Sequence, residues 1–158
     1  RGTNEVERLA DVIGPATRVD NRLCARAFQS AVGCVDAERG TLLWFRNTGG
    51  IQAIGGDAEL MFGADGSDRI VAWKTANGET TWTSERLLFR QLSAPAVAGP
   101  AVVFGDLEGQ VHFLDRKDGA PLLVLPTDGS EVVAKPVLSG TTLLVVTRKG
   151  GLFAFRPQ

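Results

Sequence analysis

Apolar residues along this chain gather in short runs separated by Gly, Asn, Asp and Pro, a pattern that suits many short strands joined by tight turns better than long helices. Runs such as Ala101-Val102-Val103-Phe104 and Leu143-Leu144-Val145-Val146 are continuous, not alternating, so both faces of these strands are expected to be buried. Parallel sheets achieve this beneath helices, but no segment between the runs has room for a crossover helix. Four-stranded antiparallel sheets stacked face to face around an axis remain, which is an all-β propeller.

A repeat of about forty residues supports this architecture. Asp36-Ala37-Glu38-Arg39-Gly40-Thr41-Leu42-Leu43-Trp44 aligns with Lys74-Thr75-Ala76-Asn77-Gly78-Glu79-Thr80-Thr81-Trp82 and with Asp115-Arg116-Lys117-Asp118-Gly119-Ala120-Pro121-Leu122-Leu123, placing the glycines 38 and then 41 residues apart. Pro95 and Pro136, and Gly109 and Gly150, keep the step of 41, while Pro15 lies 80 residues before Pro95. Each period divides into four strands. They are expected near 15–19, 22–28, 31–36 and 41–47, then 51–54, 59–65, 69–74 and 79–84, then 94–98, 100–106, 110–115 and 121–126. The last period supplies 133–138, 141–147 and 151–156 and lacks an outer strand. The expected organisation is a single partial propeller over 1–158, with an inter-blade loop at 1–13 and blades near 14–48, 49–90, 91–130 and 131–158. The recurrent Gly closes the turn before the outer strand in a left-handed conformation, the Asp four residues earlier accepts turn N–H groups, and Trp44 and Trp82 wedge between neighbouring blades. Leu123 takes that place in the third repeat.

Charge narrows the function classes without adding a site. The 17 Lys and Arg against 18 Asp and Glu leave no field of one sign, so nucleic acid is set aside as a partner. No apolar run approaches the roughly 20 residues that span a bilayer as a helix. The opening Arg1-Gly2-Thr3-Asn4-Glu5 is unlike a secretory signal, and beginning without Met favours a processed or truncated product. Cys24 and Cys34 face each other if opposed residues in the first hairpin sum to 58, whereas a two-residue turn at Gln29-Ser30 gives 59 and opposite faces. Buried free thiols are the default expectation.

Candidate chemistry is sparse. His112 is the only histidine; it falls on a third strand in an apolar run, where a packed, hydrogen-bonded core residue is expected, with no evident carboxylate or nucleophile partner for catalysis. Gly63-Ala64-Asp65-Gly66 and Gly105-Asp106-Leu107-Glu108-Gly109 lack the ordered oxygen ligands of a calcium loop and are read as turns. No catalytic residue, cofactor or metal is expected.

The Asp-x-x-x-Gly-x-x-x-Trp blade ending resembles repeats first associated with quinoprotein dehydrogenases. The chain as a whole is similar to a non-enzymatic family in that group, the BamB lipoproteins of the outer-membrane β-barrel assembly machinery. The likeness rests on Asn4-Glu5-Val6-Glu7-Arg8-Leu9-Ala10-Asp11-Val12, on Ser84-Glu85-Arg86-Leu87-Leu88-Phe89-Arg90-Gln91-Leu92-Ser93-Ala94-Pro95, and on Gly105-Asp106-Leu107-Glu108-Gly109-Gln110-Val111-His112. It implies half of an eight-bladed ring, lipid-anchored at the periplasmic face of the outer membrane, that binds the periplasmic domains of BamA and aids insertion of barrel proteins, with unfolded outer-membrane proteins as further partners. Asp11 matches an acidic contact of the family, and the family's next Asp is replaced by Ile13. Beside it, Arg8 pairs with Asp11 at helical spacing or crosses to a partner, and Leu9 is a contact or a staple onto the blade. The rival is a fragment of a PQQ-dependent quinoprotein dehydrogenase, whose vicinal cysteine pair and axial carboxylate cluster have no counterpart in Cys24, Cys34 or the turn carboxylates. A general propeller adaptor is the second alternative. An isolated sheet edge and two open blade faces lead to the expectation that this chain self-associates.

Overall fold

The structure, a computed structural model, describes residues 12–27 and 30–157. Among these, four antiparallel sheets follow one another along the chain. The first holds β1 (Val12–Val19), β2 (Arg22–Ala27), β3 (Ala31–Asp36) and β4 (Leu42–Arg46). The second holds β5 (Gly55–Gly56), β6 (Leu60–Ala64), β7 (Ile70–Lys74) and β8 (Thr80–Ser84), and the third β9 (Ala96–Ala98), β10 (Ala101–Gly105), β11 (Val111–Asp115) and β12 (Pro121–Leu125). The fourth has three strands, β13 (Val137–Ser139), β14 (Thr142–Val146) and β15 (Leu152–Phe155). Every strand pairs only with its neighbours in sequence, and β1, β5, β9 and β13 lie side by side in turn. These are blades of a β-propeller with their first strands innermost.

The continuous apolar runs behave as two-faced strands. In β10, Val102 and Phe104 pack into the layer against the second blade with Phe62, Trp82 and Leu87, while Ala101 and Val103 pack into the layer against the fourth with Leu143 and Val145. The layer between the first two blades holds Val32, Trp44, Ile54, Met61 and Trp73. The same expectation for β14 is met on one face only: Leu143 and Val145 are buried, but Val146 is 42 % exposed because this chain places no further sheet beyond it. Leu123 holds the register place of the tryptophans, opposite Phe113 as Trp82 is opposite Ala72, but is half exposed.

Trp44 and Trp82 show how one blade locks to the next. The Trp44 indole donates to Thr75 O at 2.8 Å, and the Trp82 indole to Arg116 O at the same distance. Each ring lies on the turn glycine of the following blade, so a Cβ on Gly78 would come within 2.4 Å of Trp44 and one on Gly119 within 2.7 Å of Trp82. Gly40 has the same left-handed backbone, φ 66° against 73° and 78°, but open space around it. Gly40→Ala is therefore expected to cost about 1 kcal/mol from backbone strain alone. Gly78→Ala and Gly119→Ala add about 1–3 kcal/mol for the ring overlap. Urea titration of the three variants checks this, and equal losses at all three positions would remove the indole contact from the account. The Arg116 guanidinium adds a two-point ion pair to Asp57, with Nη2 to Oδ1 at 2.8 Å, tying the third blade to the second. Asp57 holds the Arg116 pKa above its ordinary value, against a smaller opposing effect of burial.

Two expectations need correction. Cys24 and Cys34 are not free thiols but form a disulfide, with both residues wholly buried and Cα atoms 4.1 Å apart. The hairpin takes the register that sums to 58, pairing Cys24 with Cys34, and its last pair is Ala27 with Ala31, which leaves three residues, not two, in the connection. The second correction concerns inner strands. The expected strand at 51–54 forms only at Gly55–Gly56, and that at 133–138 only at Val137–Ser139. In the first case the preceding backbone is engaged by Arg26 of the first blade; in the second, pairing at Val132 and Val133 stands apart from β13. β1 begins at Val12, three residues earlier than expected.

Candidate interaction surface

The loops entering the second, third and fourth blades are each held by a side chain or backbone group from the hairpin of the blade before. Arg26 on β2 is wholly buried. Its guanidinium donates Nε to Gln52 O at 2.6 Å, Nη1 to Thr48 O and Gly49 O at 2.8 and 2.9 Å, and Nη2 to Ala64 O at 2.6 Å. Carbonyls of residues 48–52 thus turn inward to a cation instead of pairing in a sheet, which is why the inner strand starts late. Burial lowers the Arg26 pKa to about 10, partly opposed by the charge of Asp65, so the group stays charged at neutral pH. A Cβ on Gly50 would lie 2.6 Å from this guanidinium, so the loop closes on Arg26 only with glycine there.

Asp68, in the β6–β7 turn, performs the equivalent task for the next loop. Its carboxylate accepts the N–H groups of Gln91 at 2.8 Å and Leu92 at 3.1 Å, and Phe89 N–H donates to Ser67 O at 3.1 Å. Four non-glycine residues among those described have positive φ, and three of them meet here: Asp68 (67°), Phe89 (59°) and Gln91 (53°). Backbone in that region costs of order 1–3 kcal/mol per residue and persists only where surrounding bonds enforce it. Leu87 and Leu92 anchor the loop in the core, leaving Phe89 76 % exposed.

Asp106, in the β10–β11 turn, holds the third loop and corrects the expectation for His112. His112 is buried as expected, but it has a carboxylate partner: its Nε2 lies 2.7 Å from Asp106 Oδ2. Asp106 Oδ1 accepts N–H groups from Glu108 and Gln110, both at 2.9 Å, and its backbone O accepts Val132 N–H at 3.0 Å. Burial pushes the Asp106 carboxyl up, but the bonds from His112, Gln110 and Glu108 outweigh it and leave the pKa below the usual carboxylate range. Two hydroxyls bond to this hairpin: Ser93 Oγ accepts Gly105 N–H and donates to Ala94 O, both at 3.0 Å, and Thr127 Oγ1 donates to Gly109 O at 2.7 Å, so both are engaged with backbone. The Asp106–His112 pair is a brace. Val132 lies beneath Gly105 and forms an isolated bridge with Thr147, and Val133 N–H donates to Val146 O, so pairing with the fourth blade's own hairpin starts there and is interrupted until β13.

These three loops frame a cleft of about 180 Å³ whose walls include Ile51, Leu92, Val133, Asp65, Asp68 and Glu131. The sequence-predicted contact residues Arg8, Leu9 and Asp11 lie outside the described residues. Sequence reasoning passed over Arg26 and Asp68. A usable signal was present for Arg26, a lone charge in a strand whose neighbours Cys24, Ala25 and Ala27 are all apolar; Asp68, in an ordinary polar turn, offered none.

Comparison with known proteins places this arrangement. A family model described as outer membrane protein assembly factor BamB matches residues 1–84. The chain is 40 % identical over 158 residues to the outer membrane protein assembly factor BamB of Burkholderia pseudomallei, covering 100 % of this chain and 42 % of that protein. It is 35 % identical to that of Bordetella pertussis, covering 99 % and 41 %. The chain thus spans about two-fifths of the length of these relatives. Among solved structures, BamB from Moraxella catarrhalis superposes with a TM-score of 0.83 at 22 % identity, covering 90 % of this chain and 42 % of that one. The computationally designed Ika4 protein superposes with a TM-score of 0.73 at 17 % identity, covering 92 % and 91 %. A quinohemoprotein alcohol dehydrogenase from Comamonas testosteroni gives 0.74 at 15 %, covering 95 % and 34 %, a likeness of fold alone.

Proposed function

This chain belongs to the outer membrane protein assembly factor BamB family, and from that membership we propose that it is part of a non-enzymatic scaffold aiding assembly of β-barrel proteins into the outer membrane. The observation that carries the reading is identity of 40 % to a BamB protein over the whole chain. In this reading the full-length protein is an eight-bladed ring, lipid-anchored at the periplasmic face of the membrane, and binds the periplasmic domains of BamA. The Cys24–Cys34 disulfide supports such a location, because structural disulfides form and persist in oxidising compartments. Blades whose second, third and fourth entry loops are braced by the preceding blade supply a rigid frame for loops that recognise a partner. The acidic segment before β1 is the proposed contact, with Asp11 facing the partner and Arg8 and Leu9 beside it.

The test uses the full-length protein and the isolated periplasmic domains of BamA. Asp11→Arg is expected to weaken binding about tenfold through like-charge or unpaired-charge cost, with the thermal midpoint unchanged. Unchanged affinity takes Asp11 out of the contact, and absence of binding by the unmodified protein overturns the BamA assignment.

A further inference from the structure

The cleft between the loops entering the second, third and fourth blades combines three properties. It is preformed: Arg26 fastens the wall at 48–52, Asp68 fastens the wall at 91–92, and the Asp106 turn fastens Val132. A site whose walls are already ordered does not lose that ordering entropy when it binds. It is also apolar at its lip and floor, with Ile51 68 % and Val133 48 % exposed over a buried Leu92 and Val132. Finally, every ionisable group on its lining is a carboxylate: Asp65, Asp68 and Glu131.

The volume limits what enters. An apolar cavity of ~150 Å³ holds one benzene ring, so a cleft of about 180 Å³ admits one side chain of leucine or phenylalanine size. The charges select its neighbours. Asp65 Oδ1 is taken by the N–H groups of Ser67 and Arg69, and both Asp68 oxygens by Gln91 and Leu92. Glu131 Oε2 is taken by Arg148 from outside the cleft. Asp65 Oδ2 and Glu131 Oε1 accept no hydrogen bond among the described residues. Arg26, behind the wall, has its guanidinium N–H groups on four carbonyls and is wholly buried. An anionic segment would meet three carboxylates at short range, of which Asp65 and Asp68 have no ion-pair partner among the described residues and Glu131 is paired with Arg148.

We propose that this cleft is a docking site for an extended polypeptide segment of a partner protein, which seats one bulky apolar side chain between Ile51 and Val133 and places an adjacent Arg or Lys against Asp65 and Glu131. Phe89 does not line the cleft; exposed two residues from Gln91 of its wall, it is the second apolar contact proposed for the chain as it leaves. The site goes beyond the assembly reading, because it specifies the chemistry of the bound segment and holds whichever protein supplies it.

The test is a fluorescence-anisotropy titration of the full-length protein with a labelled decapeptide of Ser and Gly that carries a central Phe flanked on each side by Arg. Two control peptides replace both Arg by Glu, or the Phe by Ser. Saturable binding is expected for the first peptide, weakening as salt is raised, and none for either control. Ile51→Ser combined with Val133→Ser is expected to weaken binding about fivefold by removing apolar contact area. Both side chains are largely exposed, so the thermal midpoint of that variant stays in place. Glu131→Gln should weaken the Arg peptide and leave the salt dependence shallower. No saturable binding of the first peptide, equal binding of the Glu peptide, or unchanged binding by the double variant each overturns the proposal. Neither BamA nor Asp11 enters this experiment, so its failure leaves the assembly reading where it stood, and failure of the Asp11 test leaves the cleft untouched.

Discussion

Arg26→Met is expected to lower the free energy of unfolding by about 4 kcal/mol, more than any other single substitution considered for this chain. Methionine keeps an unbranched apolar stem of similar reach, so the loss isolates the guanidinium. Four carbonyl oxygens, those of Thr48, Gly49, Gln52 and Ala64, converge on a wholly buried cation. Each buried acceptor left without a donor costs about 1–3 kcal/mol, reduced where water or backbone movement reaches it. Against this stands the cost of burying the charge, visible in a pKa lowered to about 10. That cost disappears with the charge, so the net loss falls well short of four full penalties. Chemical denaturation checks the figure. Hydrogen exchange checks its location, because amides of residues 48–52 should lose protection ahead of those in β6 and β7. A variant within about 1 kcal/mol of the parent, inside the usual range for surface changes, would mean that the carbonyls find water and that Arg26 is not the brace of this loop.

Removing the disulfide has the second largest expected effect. Cys24→Ala combined with Cys34→Ala should cost about 3 kcal/mol, because the link closes a short loop in the unfolded chain and its loss returns that entropy. The sequence separation is 10. Both residues also sit in the layer with Val32, Trp44, Ile54, Met61 and Trp73, so the lost sulfur volume adds to the cost. Urea titration should give a lower midpoint and a larger m-value, since the unlinked chain exposes more surface when unfolded. Because both residues are fully buried, a reductant added to the folded protein should act only as fast as the first blade opens. An unchanged midpoint in the double variant would show that the first blade gains nothing from the link.

Much of the architecture was legible because a propeller is written locally. The turn glycines Gly40, Gly78 and Gly119 all have the left-handed backbone expected of them, and each accepts its place through an N–H bond to the carbonyl four residues earlier, at Asp36, Lys74 and Asp115. Asp36 and Asp115 also accept turn N–H groups, as expected. Trp44 and Trp82 lie between blades because an indole needs both a flat apolar seat and a partner for its N–H, and the next blade's turn supplies both.

The misses have a common origin. Two candidate registers for the first hairpin differed by one residue, and strand composition satisfied both. The choice of the register that bonds Cys24 to Cys34 depends on a three-residue connection that no local signal announced. The inner strand at Gly55–Gly56 is shorter than the apolar pattern implies because Arg26 of the first blade takes the carbonyls before it, and that at Val137–Ser139 because the pairing begun at Val132 and Val133 with the same hairpin is interrupted. His112 met Asp106 across a turn, only six residues away, through a hairpin geometry that places positions 104 and 112 opposite each other.

Periodicity, turn glycines and continuous apolar runs by themselves determined an all-β chain of antiparallel blades, since strand pairing here joins only neighbours in sequence and side-chain alternation needs no distant information. The cleft was decided by tertiary structure alone. Ile51, Leu92 and Val133 lie in the loops entering three different blades and become neighbours only when blade stacks on blade. The cation and carboxylates that shape the walls act through bonds spanning 22 to 38 residues, a distance at which composition carries no instruction about which carbonyl a buried charge will find.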